Sequence, residues 1–202
     1  MSRLPADLET RLAAAAPAGI RYRRDCHDKG LSTAWCLLGQ ADDLRPVVAT
    51  LKDLGARLST LTVFQPKAAA QPAPAEGQDA PPPATFFGGQ VSQDGKAYEI
   101  AYHFDLDGDT LTVTVHVPPG GAVDSLTPLY RAADWPEREA MEMYALTVRD
   151  HPDPRRLFLD PGIEAAAFER LIPYSTLVNS AASKSLWEKI IAGTAAAAGA
   201  TP

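Results

Sequence analysis

Apolar and polar positions alternate most sharply between residues 98 and 117. Tyr98, Ile100, Tyr102 and Phe104 alternate with Glu99, Ala101, His103 and Asp105. Leu111, Val113, Val115 and Val117 alternate with Thr112, Thr114 and His116. A period of two belongs to strands that bury one face. Between the two runs, Asp107-Gly108 supplies the two positive-φ residues of a two-residue hairpin turn. That turn sets the register: Leu106 faces Asp109, Phe104 Leu111, Tyr102 Val113, Ile100 Val115 and Tyr98 Val117. The opposite face is expected to be polar and solvated, with Glu99 across from His116.

Other elements follow from the same logic. Leu4, Leu8, Leu12 and Ala15 recur at helical spacing and predict a first helix. Ser32 to Leu38 reads as a buried strand ending at Gly39. Leu44, Val47, Val48, Leu51 and Leu54 form one stripe of a second helix, capped by Asp42 or Asp43 and closed by Gly55. Leu58 to Phe64 predicts a strand. Pro66 to Pro83 then holds six of the 18 prolines. Proline removes backbone donors, so this stretch is expected to be an extended insertion. Ser125 predicts a short capped helix through Leu126, Leu129 and Tyr130. Pro136 suits the first turn of another helix, with Trp135 just outside it. The expected organisation is residues 1–65 and 85–160 as two parts of one domain, 66–84 as the insertion, and 161–202 as a helical C-terminal extension carrying Leu186, Trp187, Ile190 and Ile191.

Composition narrows the function classes. The chain has 202 residues, 46% hydrophobic and 22% charged, enough for a core. Its net charge of −6 argues against gripping nucleic-acid phosphates. No stretch approaches the ~20 apolar residues of a membrane span, so a soluble cytoplasmic chain is expected. Two cysteines make no disulfide scaffold, and Cys36 reads as a small core residue. Cys26-His27 falls short of a metal set, as do His103 with His116. Asp105, Asp107 and Asp109 resemble a calcium loop, but the glycine is misplaced and no Glu completes it. No phosphate-binding glycine loop or nucleophile elbow is present.

The segment 131–160 is different, with 12 charged residues in 30 and Trp135, Met141, Met143, Tyr144, Leu157 and Phe158 interleaved. Large side chains mixed with arginine favour an interface core. Arg138 and Glu142 are spaced to pair along a helix. Glu137 and Glu139 lie near the positive helix end. Glu139 and Glu142 share a helical face, which leaves open an acid–base role in a stand-alone hydrolase. His151-Pro152-Asp153-Pro154-Arg155-Arg156 is a stiff loop, since residues before proline are pushed to extended geometry. Its arginines either contact a partner's carboxylates or are simply solvated. A third reading is an adaptor that acts through the Pro-rich insertion.

Ala132-Ala133-Asp134-Trp135-Pro136-Glu137-Arg138-Glu139, Glu142-Met143-Tyr144 and His151-Pro152-Asp153-Pro154-Arg155-Arg156-Leu157 together resemble the signature of the thirty-kilodalton subunit of respiratory complex I. Homologous subunits occur in energy-converting, membrane-bound nickel–iron hydrogenases. Asp150 stands where that pattern has Gly before His151, and Ala145 also replaces a Gly. The resemblance implies a small α+β domain: a mixed or antiparallel sheet with a central hairpin, packed by helices. It implies no cofactor, metal or catalysis of its own. The implied partners are the large subunit with the quinone or nickel–iron site, and iron–sulfur subunits. The chain would then sit peripherally on the inner face of the cell membrane through its complex. Trp135, Glu137, Arg138, Glu139, His151, Pro152, Asp153, Arg155 and Arg156 are the expected partner interface.

Overall fold

A computed structural model describes residues 3–28, 30–64, 97–159, 165 and 166. The expected insertion and C-terminal helix lie outside them. The described chain folds as α1 (Leu8–Ala15), β1 (Ile20–Cys26), β2 (Ser32–Leu38), α2 (Leu44–Asp53), β3 (Arg57–Phe64), β4 (Tyr98–Leu106), β5 (Asp109–Val117), β6 (Ala122–Asp124), α3 (Asp134–Met143) and β7 (Thr147–Arg149). Five strands form one mixed sheet in the order β1-β2-β5-β4-β3. β2 and β5 run parallel, while the other pairs are antiparallel. This is the expected α+β architecture, with the hairpin at its centre.

The hairpin has the register that its turn demands, from Leu106 opposite Asp109 to Tyr98 opposite Val117. Asp107 (φ 52°) and Gly108 (φ 97°) make the turn. Its apolar face packs with Leu8 and Leu12 of α1 and with Leu44, Val47, Val48 and Leu51 of α2. Tyr98, Tyr102 and Phe104 are among the largest fully buried side chains. Burying one such ring is worth roughly 1.5–3 kcal/mol, so this face supplies much of the stabilisation. Cys36 belongs to the same core, and burial pushes its thiol up to about 12.

Several local details differ from expectation. α2 gains no side-chain cap from Asp42 or Asp43. Asp43 instead accepts the Ala18 N–H (3.0 Å), and Asp42 pairs with Arg149 (2.5 Å). Gly55 (φ 84°) does close the helix: its N–H bonds to Lys52 and that of Ala56 to Leu51, both through backbone carbonyls. β1 is not evident in the sequence pattern. Arg21, Arg23, Arg24 and Asp25 mask its alternation, but an edge strand tolerates charge on its open side. The second sheet face is not solvated throughout, because Glu99, Ala101 and Thr112 are buried. Glu99 still faces His116, at 3.6 Å. His103 is half-buried between the hydroxyls of Thr62 and Thr112, each 3.1 Å away, and burial lowers its pKa.

Asp109 ends the turn and is fully buried. Its carboxylate accepts the N–H groups of Arg3, Leu4 (2.9 Å) and Ser32 (2.8 Å). It therefore ties the start of the chain and the start of β2 to the hairpin. No group of His, Cys, Asp or Glu among the described residues is arranged to hold a metal ion. No described helix is long and apolar enough to cross a membrane.

Candidate functional site

The site is built on α3 and the loop after β7. Pro136 is the third residue of α3, where no intrahelical donor is needed. Trp135 falls inside the first turn and is 64% exposed. Glu137, two residues on, points the other way and is 2% exposed. It receives the Ser125 hydroxyl (2.6 Å), the Leu126 N–H (2.6 Å) and the Thr127 hydroxyl (2.9 Å). The Thr127 N–H donates back to the Ser125 Oγ (3.1 Å). The expected Ser125 helix is thus one turn, closed by N–H groups of Leu129 and Tyr130 on the Leu126 carbonyl. Burial pushes the Glu137 carboxyl above its ordinary value, although these donors and nearby His151 oppose the shift.

His151 is buried beside Glu137. The Asp153 N–H donates to its Nδ1 (3.0 Å), so Nδ1 accepts and the neutral ring carries its proton on Nε2. Nε2 faces the Asp134 carbonyl (3.3 Å), the Thr127 hydroxyl (3.4 Å) and Glu137 Oε2 (3.6 Å). Glu137 and His151, both expected at the interface, are buried within the chain itself. Their part is to lock the Ser125 turn, the start of α3 and the following loop together.

Arg138 and Glu142 do not pair, contrary to their spacing. Arg138 donates to the backbone carbonyls of Arg155 (2.8 Å) and Arg156 (2.9 Å). Glu142 accepts the N–H groups of Leu157, Phe158 (3.0 Å) and Leu159 (3.1 Å). Two helix side chains, one turn apart, thus clasp five consecutive loop residues along α3. Burial opposes ionisation of Glu142, but the three N–H groups and nearby Arg156 outweigh it and lower its pKa. A carboxylate held ionised is the opposite of what the hydrolytic alternative needs, and Glu139 is exposed to solvent while Glu142 is buried. They form no shared acid–base pair.

Arg155 grips Asp153 with both ends of its guanidinium, at 2.7 and 2.6 Å. That pair holds the Asp153 carboxyl well below the usual range. Pro152, Pro154, Arg155 and Arg156 are exposed. Phe158, absent from the interface expected of the sequence, is 62% exposed. The exposed surface therefore includes Trp135, Glu139, Pro152, Pro154, the Arg155-Arg156 pair and Phe158, carried on a buried polar frame. Charge density points to this stretch. It gives no sign of which carboxylates turn inward, because Glu137 and Glu142 find their donors 10 or more residues away in sequence.

Two predictions arise here. The Glu142 pKa is lowered on folding, so its contribution is present above the ordinary carboxylate range and fades as pH falls through the lowered value. The protection factors of the Phe158 and Leu159 amides, taken against the intrinsic exchange rate at each pH, should fall on acidification, and Glu142→Gln should show low protection already at neutral pH. Asp150 has φ 56°, the left-handed region that a β-branched residue avoids. Asp150→Val should cost about 1–2 kcal/mol in denaturant unfolding, whereas Asp150→Gly should cost none of that.

Residues 38–176 match the family model described as "Respiratory-chain NADH dehydrogenase, 30 Kd subunit". A NADH-quinone oxidoreductase subunit from Maricaulis maris is 33% identical over 88 residues, 43% of this chain and 44% of that protein. Its counterpart in Neisseria meningitidis, which bears the same description, is 41% identical over 56 residues, 28% of each chain. The matched stretch thus spans less than half the length of these relatives. Among solved structures, a trypsin-resistant fragment of Nqo5 is 20% identical, with a TM-score of 0.48 over 75% of this chain and 98% of that one. A membrane-bound sulfane sulfur reductase, an archaeal respiratory membrane complex, is 16% identical, with a TM-score of 0.44 over 75% of each chain.

Proposed function

The chain belongs to the respiratory-chain NADH dehydrogenase 30 Kd subunit family, and on that premise we propose that it is a non-catalytic assembly subunit of a membrane-associated oxidoreductase complex. The complex is of NADH–quinone or energy-converting hydrogenase type. The protein docks on the large subunit that carries the quinone or nickel–iron site. The observation that carries this reading is the clasp. Arg138 and Glu142 fix loop 155–159, while Trp135 and Phe158 stay exposed beside it. A loop ordered in advance loses less entropy on docking, and exposed aromatics beside arginines are the groups that dominate interface energies. Trp135, Glu139, Pro152, Asp153, Arg155 and Arg156 contact the partner. Glu137, Arg138 and His151 hold that surface in shape.

The test is co-purification. Arg155→Ala with Arg156→Ala, and separately Trp135→Ala, should leave thermal unfolding of the chain unchanged. Recovery of the large subunit on a tagged chain should fall about tenfold or more in moderate salt, since tenfold needs only about 1.4 kcal/mol. Undiminished recovery in both variants would remove the role. Nickel-binding cysteines in the recovered large subunit would decide between the two types of complex.

A further inference from the structure

The His151 side chain is 0% exposed, and its two ring nitrogens meet different surroundings. Nδ1 accepts the Asp153 N–H at 3.0 Å, a bond it can make only while it carries no proton. Nε2 stands among acids of α3, with Glu137 Oε2 at 3.6 Å and Asp134 Oδ1 at 3.7 Å. That Asp134 oxygen is buried and has no hydrogen-bond partner among the described residues. Arg138 of α3 lies 3.8 Å from the same oxygen. The loop itself brings the Asp153-Arg155 pair, and Asp150 just before the ring is exposed. The Ser125 turn presents the uncharged Thr127 hydroxyl. Tyr102 of β4 lies near Glu137, and burial keeps its hydroxyl protonated.

Charge and geometry pull against one another at this ring. An imidazolium here would be charge-paired with Asp134 and Glu137. The nitrogen left to receive the second proton is Nδ1, and both nitrogens of an imidazolium are donors. A proton on Nδ1 would point at the Asp153 N–H, which loses its acceptor. The ring can therefore take that proton only as Asp153 moves off. Asp153 holds more than its own amide. Its carboxylate accepts the Arg155 N–H (3.3 Å) and both ends of the Arg155 guanidinium, and it lies 3.6 Å from Arg138 Nη1. Moving Asp153 therefore re-aims Arg155 on the exposed surface. Pro152 and Pro154 fix φ on either side, so the segment yields as a unit.

We propose that His151 is a proton-operated latch on the exposed loop 152–156. With Nδ1 bare it holds the Asp153 amide; a proton taken from solvent at Nδ1 releases Asp153 and the Arg155 pair with it. The released form binds one proton more than the latched form, so acidification shifts the balance toward release. That the loop faces a partner rests on the assembly role, but the latch is read on the chain alone and holds or fails apart from that role.

The test is amide exchange on the full chain between about pH 8 and 5, where histidines change charge, with each rate taken against the intrinsic rate at that pH. Protection of the Asp153 and Arg155 amides should fall by up to about tenfold per pH unit, the limit for release by one proton. Phe158 and Leu159 should keep theirs over the same range, because Glu142 stays ionised. His151→Asn puts an amide oxygen where Nδ1 stood, an acceptor that takes no proton, and should flatten the Asp153 profile. A fall caused by Glu137 would persist in that variant. If the variant does not fold, ring-nitrogen chemical shifts of isotope-labelled histidine in the parent chain report instead. His151 Nδ1 should gain its proton over the same pH span in which Asp153 loses protection. Asp153 protection that is independent of pH, that falls equally in His151→Asn, or that survives protonation of Nδ1 would each overturn the proposal, as would simultaneous loss at Phe158 and Leu159.

Discussion

Glu137→Ala is expected to remove about 3–5 kcal/mol of stability, because three buried donors lose their acceptor at about 1–3 kcal/mol each, not additively. The carboxylate is 2% exposed and answers three donors. Alanine leaves the Ser125 and Thr127 hydroxyls and the Leu126 N–H without an acceptor, and His151 Nε2 without its neighbouring charge. Most domains hold only 5–15 kcal/mol in total, so the loss is a large fraction. A thermal midpoint lowered by roughly 10 °C or more is the expected readout. The sign with pH provides a second readout. Burial raises the Glu137 pKa on folding. Its contribution is therefore complete below the ordinary carboxylate range and is lost as pH rises through the raised value. Glu142 acts in the opposite sense at lower pH. Denaturant titrations across both windows should lose the upper slope in Glu137→Ala and the lower one in Glu142→Gln. A Glu137→Ala variant as stable as the parent would show that the Ser125 turn has no need of its acceptor.

Asp109→Ala is expected to be nearly as damaging. Three backbone N–H groups converge on this fully buried carboxylate, from Arg3, Leu4 and Ser32. Hydrogen bonds to a charged group contribute about 1.5–3 kcal/mol each when measured singly, and they are not additive. A total loss on the order of 3 kcal/mol is expected, the upper end of the range for one such bond. Asp109→Asn should fail to rescue it, because one end of the amide presents donors to donors. Hydrogen exchange would separate this effect from general weakening. The amides of Arg3, Leu4 and Ser32 should lose protection first, while β4 and β5 keep theirs relative to the new global stability.

The hairpin is legible to the residue, since one dipeptide fixes the turn and a period of two fixes the faces. β2 and α2 are legible for the same reason, as uninterrupted local patterns. What the sequence hides depends on distant partners. β1 owes its strand state to seven pairings with β2, which outweigh its four charged residues. β6 and β7 are three residues each and exist only as a parallel pair. At the site, composition locates the right stretch but not the direction of its side chains. A glutamate near a helix start is electrostatically content in solvent, so nothing local shows that Glu137 is buried. The i,i+4 rule joins Arg138 to Glu142, but each finds loop backbone groups to bind instead. In the sequence Asp150 is only a replacement for Gly, and its positive φ gives the physical reason why a glycine suits that position.

The register of β3 against β4 has a practical consequence. The two strands meet at Phe64 and Glu99 despite the long connection between them. Closing a longer loop costs only about 0.6 kcal/mol for each doubling of its length. Phe64 and Tyr98 already end on neighbouring strands, so a handle that lengthens the connection joining them should add only this closure cost and leave the clasped loop untouched.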